Sequence, residues 1–157
     1  MKQHTIITGV IGSDAHIVGE WAIRHALRAA GFKVVSLGAL VPQEEFIKAA
    51  IETNADAILV SSIYGQGRID CAGFRDKLTE AGVKDIILYI GGNLAIGDYD
   101  FESVALDYKA MGFHRAYPAT TMPQTAIDDL RRDLGIMQDT QDTQDMPASG
   151  GDAASGR

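Results

Sequence analysis

The run Thr5-Ile6-Ile7-Thr8-Gly9-Val10-Ile11, followed at once by Gly12-Ser13-Asp14-Ala15-His16-Ile17-Val18-Gly19, decides how the chain is read. Its first half is a near-continuous apolar, β-branched segment of strand length, the pattern of a strand covered on both faces. Its second half is polar and glycine-bearing, and reads as the loop leaving that strand. In open α/β sheets such a loop lies at the carboxyl edge, where ligands bind. His16 has a carboxylate two residues before it and a glycine three after it. A neutral imidazole oriented by Asp14 is a ready metal ligand, its tautomer fixed by the bond at its other nitrogen. The plainer alternative is a solvated histidine, with Asp14 capping the helix that follows.

Outward from this stretch, strand-like runs recur at residues 33–40, 57–63, 86–91 and 115–118, and the first covers 5–11. Helical patterns separate them. Trp21, Leu27 and Ala30 follow His16, and Gly31 stops that helix. Phe46, Ile47, Ala50 and Ile51 form one face of a second helix, with Pro42 near its start and Glu44 and Glu45 favourable to its dipole. A third helix is expected over 69–80, ending at Gly82. A fourth carries Phe101, Val104, Tyr108 and Met111 before Gly112. The last begins at Pro123 and aligns Ile127, Leu130 and Leu134. Five strand–helix units predict an α/β fold: a flavodoxin-like (Rossmann-like), doubly wound, five-stranded parallel sheet of order 2-1-3-4-5. Right-handed crossovers bring the loops after strands 1 and 3 to one edge, around a crevice between those strands.

The 157 residues suffice for one domain, expected over 1–136. From Gln138 the composition turns acidic-polar, so 137–157 is expected to be a disordered tail. A net charge of −7 without any basic run excludes a nucleic-acid or anionic-membrane surface. No apolar stretch approaches the roughly 18–20 residues of a membrane span, and the strand-like run begins directly after Met1-Lys2-Gln3-His4; the expectation is a cytoplasmic protein. Cys71 is the single cysteine, so there is neither an internal disulfide nor a cysteine-based zinc site. It reads as a small buried hydrophobe. His4, His25 and His114 have no suitable neighbours in sequence, Trp21 and Met111 read as core or partner surface, and Asp98, Asp100 and Glu102 mark a helix start.

Two further loops share the sheet edge with the first. After strand 3 comes Ser61-Ser62-Ile63-Tyr64-Gly65-Gln66-Gly67; after strand 4 comes Gly91-Gly92-Asn93-Leu94-Ala95-Ile96-Gly97. Serine hydroxyls can bond an inserted ligand, and the glycines let a bulky planar group approach the backbone. A dinucleotide fingerprint is lacking its third glycine, and no Gly-Lys-Ser/Thr phosphate loop is present.

Taken together, Asp14-x-His16-x-x-Gly19, Ser61-x-Ile63 and Gly91-Gly92 resemble the three-part signature D-x-H-x-x-G, S-x-L and G-G of cobalamin-binding domains. The segments Gly9–Asp14, Ser61–Gly67 with Ile69-Asp70-Cys71, Gly91-Gly92-Asn93, Lys109–Phe113 and Tyr117-Pro118 are similar to the small, sigma-subunit family of glutamate mutase (methylaspartate mutase), over roughly residues 3–135. That resemblance implies adenosylcobalamin as cofactor, with its benzimidazole detached from cobalt. His16 would then be the lower axial ligand to cobalt and Asp14 its hydrogen-bond partner. Ser13, Ala15 and Ile17 would contact the corrin, and Gly19, Ser61, Ser62 and Ile63 belong to the same cofactor site. The displaced nucleotide tail would enter between strands 1 and 3 beside Ser61 and Ile63, while Gly91, Gly92, Asn93, Leu94, Ala95, Ile96 and Gly97 would line the tail or corrin edge.

The implied reaction is the radical interconversion of L-glutamate and threo-3-methylaspartate, an intramolecular isomerisation in which the cofactor carries the hard chemistry. No glutamate site and no catalytic residue is evident in this chain. The resemblance therefore implies a large barrel-type partner that holds the small-molecule substrate, in a heterotetramer of two small and two large chains, with the small subunit inactive alone. Alternatives are the cobalamin subunit of another carbon-skeleton mutase and a corrinoid methyl-transfer protein. Against the latter, the first strand begins within ten residues and Glu20, not lysine, follows Gly19. A signalling receiver would need a phosphoacceptor aspartate after strand 3, where Ser61 and Ser62 stand. Departures from the family pattern are Ile63 for leucine, the segment Pro118-Ala119-Thr120-Thr121, and the acidic tail.

Overall fold

A computed structural model describes residues 3–12, 18–62, 67–94 and 100–136. Its elements are β1 (Thr5–Val10), α1 (Val18–Ala29), β2 (Lys33–Ser36), α2 (Gln43–Thr53), β3 (Ala57–Ser62), α3 (Gly67–Asp70), α4 (Phe74–Glu80), β4 (Ile87–Gly92), α5 (Phe101–Ala110), β5 (Arg115–Pro118) and α6 (Pro123–Leu134). The strands form one parallel sheet in the order β2-β1-β3-β4-β5, as the alternation of apolar runs with helices predicts. All six residues of β1 are buried, which explains its lack of polar alternation.

Side chains alternate across the pleat, so each strand feeds two different layers. On one face Ile7, Ile58, Val60, Leu88 and Ile90 meet Phe46 of α2, Phe74 and Leu78 of α4, Val104 and Tyr108 of α5, and Phe113. Aromatic rings interlock there: Phe46 with Phe74 at 5.8 Å, Phe74 edge-on to Phe113 at 6.3 Å, and Tyr108 edge-on to Phe113 at 5.6 Å between centroids. The other face carries Thr8, Leu59, Ser61, Tyr89, Gly91 and Tyr117, and α1 lies against it.

Three sequence expectations are corrected. Strand 2 ends at Ser36 rather than residue 40, because the chain turns through positive φ at Gly38 (81°) and Leu40 (61°) before Val41 bridges back to Ile11. The expected helix over 69–80 is two helices, broken at Cys71-Ala72-Gly73. Gly73 takes φ 75°, which a side chain would resist, and the amide of Gln43 donates to the carbonyls of Asp70 (2.6 Å) and Ala72 (2.9 Å). In α2, Phe46, Ile47 and Ala50 are buried but Ile51 is half exposed, since the apolar stripe is narrower than its sequence suggests. Gly31 ends α1 as expected, with Phe32 N–H bonding the Leu27 carbonyl.

The chain divides into two compact units inside α6, Met1–Ile127 and Asp128–Arg157. In the first, Ile127 is buried. The described part of the second, 128–136, completes α6 with a buried Leu130 and the ion pairs Arg131–Asp128 (3.9 Å) and Arg132–Asp129 (2.9 Å) one turn apart. The expected tail, 137–157, lies outside the described residues.

Candidate functional site

Register brings the carboxyl ends of the strands level: Val10 pairs with Ser61, Ser61 with Gly91, Gly91 with Tyr117, and Gly92 with Pro118. The row Val10, Ser61, Gly91, Tyr117 therefore puts its smallest members at the centre. A cavity of about 410 Å³ opens above it, a volume suited to a small-molecule ligand. Leu59, Ser61, Tyr89 and Gly91 form its floor. Gly19, Ala22 and Ile23 of α1 stand on one side, Tyr117 and Pro118 on the other, with Met122, Pro123 and Ala126 at the rim. Tyr89 and Tyr117 meet edge-on, ring centroids 5.7 Å apart, and give it aromatic walls with phenolic tips.

The two glycines at the end of β4 serve different ends. A Cβ on Gly91 would lie 3.7 Å from that of Tyr117, in ordinary contact, so its hydrogen keeps the floor low rather than relieving a clash. Gly92 has φ 124°, and a Cβ there would run into the Ser62 carbonyl oxygen. Gly92 is required by the backbone, whereas Gly91 is required by the cavity.

Of the residues expected at the site, Gly19, Ser61, Gly91, Gly92 and Asn93 line this cavity. Ser62 and Leu94 are buried and do not; Leu94 belongs to the aromatic core on the opposite face. Ser13, Asp14, Ala15, His16, Ile17, Ile63, Ala95, Ile96 and Gly97 lie outside the described residues. The cavity lies above the sheet, over β3, β4 and β5. The crevice expected outside the carboxyl ends of β1 and β3 would be bordered by residues 13–17 and 63–66, which lie outside the described residues. Tyr89, Tyr117, Ala22 and Ile23 were not foreseen. Tyr89 and Tyr117 were within reach: both share the face of Gly91 through the period of two and the register between neighbouring strands.

Glu20 was also missed. It is fully buried in the first turn of α1, accepting bonds from Thr8 (2.6 Å) and Ser36 (2.7 Å). The signal was a hydroxyl in each of two apolar strands, facing one another in register. Elsewhere, burial pushes the thiol of Cys71 far up, with Asp70 adding to the effect. Burial likewise raises Tyr108, and both are unsuited to ionise. Among the described residues no group of three or more His, Cys, Asp or Glu side chains could hold a metal ion, and no helix is long and apolar enough to cross a membrane.

Residues 4–119 match the B12 binding domain. The chain is 53% identical over 137 residues to the glutamate mutase sigma subunit of Carboxydothermus hydrogenoformans, covering 87% of this chain and 100% of that one. It is 54% identical over 136 residues to that of Clostridium cochlearium, covering 87% and 99%. Among solved structures, a cobalamin-binding protein from Desulfitobacterium hafniense superposes with TM-score 0.68 at 22% identity, over 83% of this chain and 59% of that one. The Methanosarcina barkeri monomethylamine corrinoid protein superposes with TM-score 0.60 at 22% identity, over 81% and 56%. The chain thus spans little more than half the length of either solved protein, and these two likenesses concern the fold. The chain belongs to the B12-binding domain family and, within it, to the glutamate mutase sigma subunits.

Proposed function

We propose that this protein is the cobalamin-binding small subunit of a glutamate mutase, serving the interconversion of L-glutamate and threo-3-methylaspartate with a large catalytic partner. The observation that carries the reading is its identity of 53% across the whole length of a glutamate mutase sigma subunit. The cavity fits the group such a subunit would hold. It is apolar and aromatic-walled, low-floored at Gly91, and large enough for a planar base with its sugar. It would take the nucleotide tail of the corrinoid, with Ser61 placing a hydroxyl beside it.

His16 would then ligate cobalt through one ring nitrogen and Asp14 would accept a bond from the other, fixing the ring and raising its basicity. Ser13, Ala15, Ile17 and Ile63, with the backbone from Asn93 to Gly97, would meet the corrin and the upper tail. Bound adenosylcobalamin supplies the radical chemistry; this chain supplies binding and orientation. Substrate and the opposite face of the cofactor belong to the large barrel-type subunit, in a cytoplasmic assembly of two small and two large chains, and the small subunit alone is inactive. The folded domain runs to residue 136, with 137–157 as an appended tail.

Titration of the purified chain with cobalamin should move the visible spectrum to that of histidine ligation, and His16→Ala should abolish the shift. A spectrum that does not change, or changes equally in His16→Ala, overturns the axial-ligand assignment. Asp14→Asn should lower cobalamin affinity by about 10–100-fold. Adding the large subunit, adenosylcobalamin and L-glutamate should yield methylaspartate, and omission of either chain should yield none.

A further inference from the structure

The segment that carries His16 leaves the sheet at Gly12, and three parts of the chain meet on that residue. Its N–H donates to the carbonyl of Val41 at 2.8 Å, next to the Ile11–Val41 bridge, so the connection from β2 to α2 holds one side. Asp70, the last residue of α3, holds the other. A Cβ on Gly12 would fall on the Asp70 carboxylate, 2.8 Å from Oδ1 and nearer still to Oδ2. Gly12 also takes φ 78°, so its left-handed turn and its lack of a side chain are both in use. Asp70 is itself fixed from behind. Gln43, buried in the first turn of α2, donates to the Asp70 carbonyl at 2.6 Å and to that of Ala72 at 2.9 Å. A part-buried aspartate laid on bare backbone fills no apolar space; what it brings there is a charged acceptor at the root of the His16 segment.

We infer that Asp70 is a positioning residue for His16: backed by Gln43, it seats Gly12 and so sets where and in which direction the His16 segment leaves the sheet. Asp70 does not line the cavity, and acts through the backbone that carries the ligand. A side chain that must meet a metal along one axis has to be held to within about 0.5 Å. Only four residues separate Gly12 from His16, too few to absorb an error at the root. The inference rests on the reading of His16 as the ligand to cobalt.

Titration of the full chain with cobalamin, followed by the visible spectrum of histidine ligation, tests it beside the urea midpoint of each variant. Asp70→Ala should weaken binding about tenfold. In the cobalt(II) form it should also lower the share of bound cofactor whose electron paramagnetic resonance shows an axial nitrogen. Asp70→Asn, of the same shape and with one acceptor oxygen left, should recover most of both. Gly12→Ala should weaken binding at least as much, and supplies the test if Asp70→Ala does not fold. With both substitutions the clash is gone, so the combined loss should be smaller than the product of the single losses. Losses that simply multiply overturn the inference, because Gly12 and Asp70 then act independently. A lowered urea midpoint with native affinity and full nitrogen coupling overturns it too, and leaves Asp70 a structural role. The reading beneath it fails differently: a native chain without nitrogen coupling, or coupling that survives His16→Ala, removes His16 as ligand and the inference with it.

Discussion

The two faces of this sheet are built from the same strands by opposite rules. On the α2–α4–α5 face, alternate strand residues are large and meet a chain of interlocked aromatic rings, Phe46, Phe74, Phe113 and Tyr108. On the α1 face, Leu59, Tyr89 and Tyr117 are interrupted by the small or polar Thr8, Ser61 and Gly91, and the helix above them contributes Gly19, Ala22 and Ile23. One face fills its volume; the other keeps about 410 Å³ open at the carboxyl edge and holds its helix with a buried carboxylate. Stability and binding are therefore divided between faces, and substitutions should separate them.

The largest effect is expected on the filled face. Phe74 is fully buried between Phe46 and Phe113, so Phe74→Ala should cost about 3–5 kcal/mol, read from the urea midpoint. Cobalamin affinity of the molecules that remain folded should hold. A loss of affinity equal to that of a cavity variant would show that the two faces are not separable.

The neighbouring glycines give the sharpest contrast. Gly92→Ala forces a Cβ toward the Ser62 carbonyl at a φ of 124° and should cost about 1–3 kcal/mol of stability. Gly91→Leu meets no such obstacle and grows into the cavity. It should raise the melting temperature slightly, as cavity filling does. Competing with the ligand for that space should cost about 1–3 kcal/mol of binding, roughly 10–100-fold in affinity. If both variants lose stability alike and bind alike, the division between a backbone glycine and a cavity glycine is wrong.

How much of this was legible in sequence follows from the same division. Strand order and the filled face are repetitive: runs such as Ile58-Leu59-Val60 and Leu88-Tyr89-Ile90 declare themselves by composition, and the sheet they predict is the one observed. Ser61 and Gly91 stood out because a hydroxyl and a glycine interrupt such runs. The break at Cys71-Ala72-Gly73 was not legible, since Gly73 alone is tolerable in a helix and what stabilises the turn is Gln43, nearly thirty residues away. Neither was the cavity's position above β3–β5: that the small residues Ser61 and Gly91 stand side by side, flanked by Tyr117, becomes visible only once the register of the strands is known. Glu20 entered the sequence reading only as the residue that follows Gly19, and nothing local distinguishes a solvated carboxylate in a first helical turn from one clasped by two strands.

Cys71 tests the filled face more gently. Its thiol is buried and held in the protonated form by desolvation, so the native chain should resist a disulfide reagent at mildly alkaline pH and react fully in denaturant. Rapid native-state labelling would mean that the α3–α4 turn opens far more readily than its packing implies.

The smallest effect belongs to the outer surface of the filled face, where Lys77 of α4 donates to Glu44 of α2 at 2.8 Å. That bond holds the Glu44 carboxyl below the usual glutamate range. Because the folded value is the lower one, whatever the pair contributes is complete above the unfolded carboxyl's range near about 4.3 and fades as pH falls through the folded value. Both groups are largely solvated, so the contribution is slight and salt-sensitive. Lys77→Met should flatten a shallow acid-side slope in the urea midpoint, and leave cobalamin affinity unchanged at every pH where the chain is folded. The pair lies on the helices of the opposite layer, with the sheet between it and the cavity. A change in affinity here would mean that strain crosses the sheet, and that the strands are a coupling element rather than a partition between the packed layer and the open one.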